Sequence, residues 1–146
     1  DRGGIVQNLT YRNLQMKNVG IPILIYGAYM ATDRQYRNLQ KITPEIAATY
    51  PSATVSDLTP VYQNILFENI TATAQTGRRA GLIWGLPEAL ATNIVFKNVN
   101  ITADNSFGVF FAQNVQLQNC KIKTNEGKNK LEITHAQVFV DGKEMK

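Results

Sequence analysis

One eight-residue phrase occurs four times along the chain: NLTYRNLQ (8–15), NILFENIT (64–71), NIVFKNVN (93–100) and NVQLQNCK (114–121). Each copy carries Asn at its first and sixth places. The apolar places are Leu9, Tyr11 and Leu14; Ile65, Phe67 and Ile70; Ile94, Phe96 and Val99; and Val115, Leu117 and Cys120. Period-two alternation marks a strand with one buried face, because successive side chains of an extended chain point to opposite sides. The second Asn of each copy interrupts that alternation. Asn tolerates the left-handed backbone region better than other non-glycine residues, so it suits a sharp bend between strands. The copies start 56, 29 and 21 residues apart, which fits coils with loops of variable length and one long insertion. Such a repeat folds as a parallel β-solenoid in which like residues stack on like. Asn13, Asn69, Asn98 and Asn119 are then expected above one another, their amides bonding up the stack. The competing reading is an antiparallel sandwich. Against it, Asp141-Gly142 near the C-terminus is the only Asn-Gly or Asp-Gly hairpin pair.

Further strands follow three of the phrases. IPILIYGAY (21–29), AGLIWGL (80–86) and FGVFFAQ (107–113) take one equivalent place per coil. Nearly continuous apolar runs are expected where a parallel strand is buried or lines a groove. Residues 30–60 break the pattern and hold Pro44, Pro51 and Pro60. Within them residues 44–50 form a short helix with Pro44 near its start. A loop this long is expected to be functional or lid-like. KTNEGKNK (123–130) reads as a polar loop, and the residues from Leu131 onward as closing strands.

Composition supports one folded domain spanning residues 1–146, with 44% apolar and 18% charged residues. The net charge of +4 is scattered, apart from Arg78, Arg79 and the run from Lys121 to Lys130. That excess reads as solvated surface; it suits a polyanion, nucleic acid or acidic polysaccharide, but selects neither. A lone cysteine, Cys120, rules out an internal disulfide and any multi-cysteine metal site, and reads as core. No metal or cofactor is expected, and no apolar run reaches membrane-spanning length. Trp84 reads as core rather than sugar platform. His135 lies in the closing strands, away from any groove. The glycosylation sequons at Asn8, Asn69 and Asn100 fall inside the repeat and read as strand patterning.

The segments RGGIVQNLTYRNLQMKNVGIPILIYGAY, TPVYQNILFENITAT and GLIWGLPEALATNIVFKNVNI resemble glycoside hydrolase family 28, the polygalacturonase-like enzymes, over about residues 2–122. The resemblance implies a right-handed parallel β-helix, here of about four to five coils, with a long inserted loop at 30–60. It implies hydrolysis of pectic polysaccharide, usually with inversion, in a secreted or periplasmic enzyme. The family's Asn-Thr-Asp, Asp-Asp, Gly-His-Gly and Arg-Ile-Lys motifs are all missing. The chain therefore resembles the C-terminal part of such an enzyme, with no catalytic residue of its own. An inverting glycosidase needs two carboxylates about 6.5–9.5 Å apart, and the acidic residues here are scattered. The family's sugar-binding Tyr corresponds to Tyr29, with Tyr26 beside it. Arg2, Arg78 and Arg79 are candidates for pairing with uronate carboxylates. The partner expected is an acidic pectic polysaccharide, with neither nucleic acid nor membrane. An uncapped first coil is expected to self-associate, most simply as a two-fold dimer. The alternative function is a non-catalytic β-solenoid that binds polysaccharide or only assembles.

Overall fold

The structure, a computed structural model, describes residues 3–29, 31–125 and 130–146. It is an all-β, right-handed parallel β-helix. On one side β1 (Gly4–Val19) pairs with β3 (Pro60–Ala74), β3 with β5 (Ala91–Thr102), and β5 with the second half of β6 (Asn105–Gln118), all in parallel. On the return side β2 (Leu24–Tyr26) pairs with β4 (Arg79–Trp84), and β4 with the first half of β6. A strand whose two halves pair with different neighbours is what a solenoid demands. β7 (Lys121–Lys123) continues the stack on β5, and β8 (Leu131–Val140) lies along β6. β9 (Lys143–Met145) turns back antiparallel on β8. The turn between them is Asp141-Gly142, with φ of 47° and 81°. The one hairpin pair of the sequence thus makes the one antiparallel pairing between these strands.

All eight repeat asparagines sit at φ between 51° and 58°. Both Asn places are corners, whereas the pattern break pointed only to the second. In the second place Asn69 Nδ2 donates to Asn13 Oδ1 (3.1 Å), Asn98 to Asn69 (3.2 Å) and Asn119 to Asn98 (2.6 Å). In the first place Asn64 donates to Asn8 (3.4 Å), Asn93 to Asn64 (3.0 Å) and Asn114 to Asn93 (2.8 Å).

The register stacks the apolar places of the phrases. Leu9 pairs with Ile65, Ile65 with Ile94, and Ile94 with Val115. The rings of Tyr11, Phe67 and Phe96 form a column with centroids 5.2 and 4.9 Å apart. Burying each large apolar side chain stabilises by about 1.5–3 kcal/mol. Cys120 packs half-buried against this core, and burial raises its thiol pKa.

Residues 31–59 form no coil. They hold a 3-10 turn (Arg34–Tyr36) and α1 (Pro44–Ala48). Thr43 caps α1, its Oγ1 accepting from Ile46 N at 3.3 Å, and Pro44 stands where a missing N–H is harmless. The insertion folds over the outer face of the return sheet. There Tyr36, Ile42 and Ala47 make a second core with Leu82, Trp84 and Phe110. This explains the unbroken apolar run of β4, which is covered on both faces and buried throughout.

Candidate functional site

The return sheet carries the residues singled out for sugar binding, and its parallel register sets their places. Tyr29 lies half-buried three residues beyond the end of β2. Its neighbour is Tyr62, whose phenol is raised by burial and then by Tyr29, and whose hydroxyl donates to Tyr26 O at 3.2 Å. Tyr26 is engaged with the insertion. Its ring leans on Trp84 at 5.5 Å and its hydroxyl donates to Tyr36 O at 3.0 Å. Burial raises the Tyr26 phenol, Tyr50 adds to the rise, and Arg37 opposes it.

Arg78 is exposed in the turn before β4. Because Leu24 pairs with Leu82, Arg78 and Tyr29 flank opposite ends of the sheet and are not brought together. Arg2 lies outside the described residues.

Arg79 requires a correction. Expected to meet a uronate, it is 2% exposed and holds protein partners through both Nη atoms, while its buried Nε has no hydrogen-bond partner among the described residues. Its Nη1 donates to Leu39 O (2.8 Å) and Ile42 O (3.3 Å), and its Nη2 pairs with Glu132 at 3.1 Å. Its backbone N–H donates to Gln40 Oε1 at 3.0 Å. Burial lowers its pKa, with the Glu132 carboxylate opposing. Two carbonyls of the insertion and the Glu132 carboxylate of β8 are the partners of this cation. The length of the insertion at 31–59 made it legible as functional or lid-like, but not which side chain would pin it.

The carboxylates are largely committed to the scaffold. Glu68 pairs with Arg12, Glu132 with Arg79, and Asp104 accepts from Gly77 N. Asp141 accepts from Asn119 N at 2.8 Å, and Asp33 caps the 3-10 turn. Among the described residues no group of three or more His, Cys, Asp or Glu side chains could hold a metal ion. His135 is exposed at a corner, φ 47°, stacked on Phe111 at 5.0 Å. Trp84 is fully buried, as read from the sequence. One wall residue escaped that reading: Glu88, whose Oε2 is buried without a hydrogen-bond partner.

Exopolygalacturonase B of Aspergillus niger is 30% identical to this chain over 115 residues, covering 77% of the chain and 23% of that protein. The probable exopolygalacturonases B of Aspergillus flavus and Aspergillus oryzae are each 30% identical over 103 residues, 68% of the chain and 20% of those proteins. The chain thus spans between a fifth and a quarter of the length of the curated relatives it matches. No protein-family model matches it, and no solved structure matches it significantly. The similarity is to polygalacturonase-like proteins, at low identity.

Proposed function

We propose that these coils are part of a polygalacturonase-like glycoside hydrolase acting on pectic polysaccharide outside the cytoplasm, in a secreted or periplasmic setting. The observation that carries the reading is the similarity to exopolygalacturonase B over 77% of the chain, in a chain folded as parallel coils. In this reading the catalytic carboxylates belong to other coils of the enzyme. The present coils extend the groove and present Tyr29 to the sugar. A tyrosine serves that purpose because its ring packs on a pyranose face while its hydroxyl donates a hydrogen bond. In the same reading Arg78, which is exposed in the turn before β4, pairs with a uronate carboxylate.

The test is direct. The purified chain is incubated with polygalacturonate and reducing ends are followed; no turnover above buffer is the expected result. Turnover that survives further purification would show an active site within these coils. In an enzyme that includes them, Tyr29→Ala raises KM for oligogalacturonate about tenfold, and an unchanged KM removes Tyr29 from the groove.

A second reading, a self-assembling solenoid, is favoured by the first coil. Ile5, Tyr11 and Leu24 are 62%, 44% and 45% exposed there. Tyr11 and Leu24, with Val6, Leu9 and Leu14, line an open apolar cavity of about 360 Å³. In the isolated chain a second copy covers this surface.

A further inference from the structure

β1 stands at one end of the sheet order. Among the described residues its only partner strand is β3, so the backbone groups along its other edge pair with no strand. Such an edge is a template for strand addition. The side chains of the first coil set which strand it accepts.

The asparagine ladders have a direction. In all six amide bonds Nδ2 of the later coil donates to Oδ1 of the earlier one. Asn8 and Asn13 accept from Asn64 and Asn69, and their own Nδ2 groups have no acceptor among the described residues. An incoming strand must therefore hold an acceptor over each corner. Asn and Asp both supply one and both tolerate the left-handed region. Between the corners the strand must cover Leu9 and Tyr11, and beyond them Leu14, which are 37%, 44% and 38% exposed. Tyr11 ends the ring column of Phe67 and Phe96, so an aromatic side chain continues it.

Parity selects the direction of the strand. Asn8 and Asn13 are five residues apart. Directly opposite residues of an antiparallel pair share one face of the sheet. About a two-fold axis, Asn8 meets Asn13 of the other copy only when inward Leu9 lies opposite outward Arg12. Setting Leu9 opposite Tyr11 puts Asn8 opposite Arg12 and Asn13 opposite Gln7. A two-fold copy thus covers the apolar residues without closing both ladders. A parallel strand in register does both, as β3 does on the other edge, where Leu9 pairs with Ile65 and Tyr11 with Phe67.

We propose that the open edge of β1 is a docking site for a parallel strand of an adjoining coil, with hydrogen-bond acceptors at both corners and an aromatic ring between them. The docking rests on the reading that other coils belong to the enzyme, since those coils supply the strand. Binding is measured without turnover, so the two fail separately. The probe is a fluorescent synthetic peptide with the sequence of β3, PVYQNILFENITATA, titrated with the full chain and followed by anisotropy. It binds, and in excess it returns any self-associated chain to monomer. In the peptide, Asn64→Asp with Asn69→Asp keeps the affinity within about threefold, because only the acceptor is needed, whereas Asn64→Leu with Asn69→Leu weakens it about tenfold. In the chain, Asn13→Asp keeps the acceptor for Asn69 but removes the free donor, and weakens binding about tenfold while the melting temperature confirms folding. Benzoylphenylalanine at the Tyr62 place of the peptide cross-links around Val6, its partner in the parallel register. No binding overturns the proposal, as does a leucine-cornered peptide that binds equally well. Cross-links around Met16 would mean antiparallel docking, and equal loss from Asp in peptide and chain would remove the ladder's direction; either overturns it. Self-association undiminished at saturating peptide would give the edge to a second copy and overturn it too.

Discussion

Each repeat asparagine does two jobs at one position, turning the backbone at positive φ and bonding its amide to a neighbouring coil. Asn69 holds φ 54° and bonds both Asn13 and Asn98. The two contributions separate by substitution. Asn69→Gly keeps the corner and loses only exposed side-chain bonds, for a cost of about 1 kcal/mol. Asn69→Ala also forces a Cβ-bearing residue without a local hydrogen bond into the left-handed region, so its cost rises to about 2 kcal/mol. Urea unfolding of the two variants measures the difference, and equal midpoints would show that the corner is unstrained. The second corner of each phrase was legible because it interrupts an alternation already under way. The first was not, since no alternation precedes it to be broken. Phe111 and His135 were illegible for the opposite reason. They take corners at φ 48° and 47°, which bulky residues rarely adopt, and stack on each other instead of forming an amide ladder.

At the scale of elements, the insertion is held to the return sheet by few but specific contacts. Arg79 binds the carbonyls of Leu39 and Ile42 and the carboxylate of Glu132. Arg79→Ala leaves all three without their cation, at a cost of about 3 kcal/mol. The expected result is faster proteolysis within residues 31–59, with the coils cut at their former rate. Equal cleavage rates would mean that the apolar contacts suffice. The phenols supply a second joint. Tyr26 and Tyr50 both have pKa values raised above 10.0, chiefly by burial. A folded-state pKa above the unfolded one gives stability that is complete below pH 10 and is lost as pH climbs through the folded values. Ultraviolet titration of tyrosinate should therefore show late-ionising phenols, with the insertion becoming protease-sensitive in the same alkaline range. Ionisation of every tyrosine near pH 10 with no change in cleavage would remove this joint. The short helix, expected at 44–50 and found at Pro44–Ala48, could be read from proline placement, whereas the face the insertion covers could not. The partners of Arg79 could not, because they are backbone carbonyls brought near only by the folded insertion.

At the scale of the molecule, the first coil exposes Val6, Leu9, Tyr11, Leu14 and Leu24 around an apolar cavity. Sedimentation equilibrium of the isolated chain should show association that weakens in Leu24→Glu and in Leu9→Lys. A wild-type chain that is monomeric at every concentration would mean this surface tolerates water. Stacked phrases made the solenoid legible, since the same residues recur at the same places and β-pairing brings them into register. A cleft at Glu88 was illegible, because its two walls, residues 50–60 and 86–88, share no motif and meet only in the fold. One burial has an optical consequence. The only tryptophan of the sequence, Trp84, sits beneath the insertion among Tyr26, Tyr36 and Tyr50. Its emission is therefore a single-site gauge of whether the insertion is seated: blue while the cover is closed, and shifted to the red when water reaches the indole. A stopped-flow fluorimeter could follow that cover alone, with no label attached and no second indole to confuse the colour.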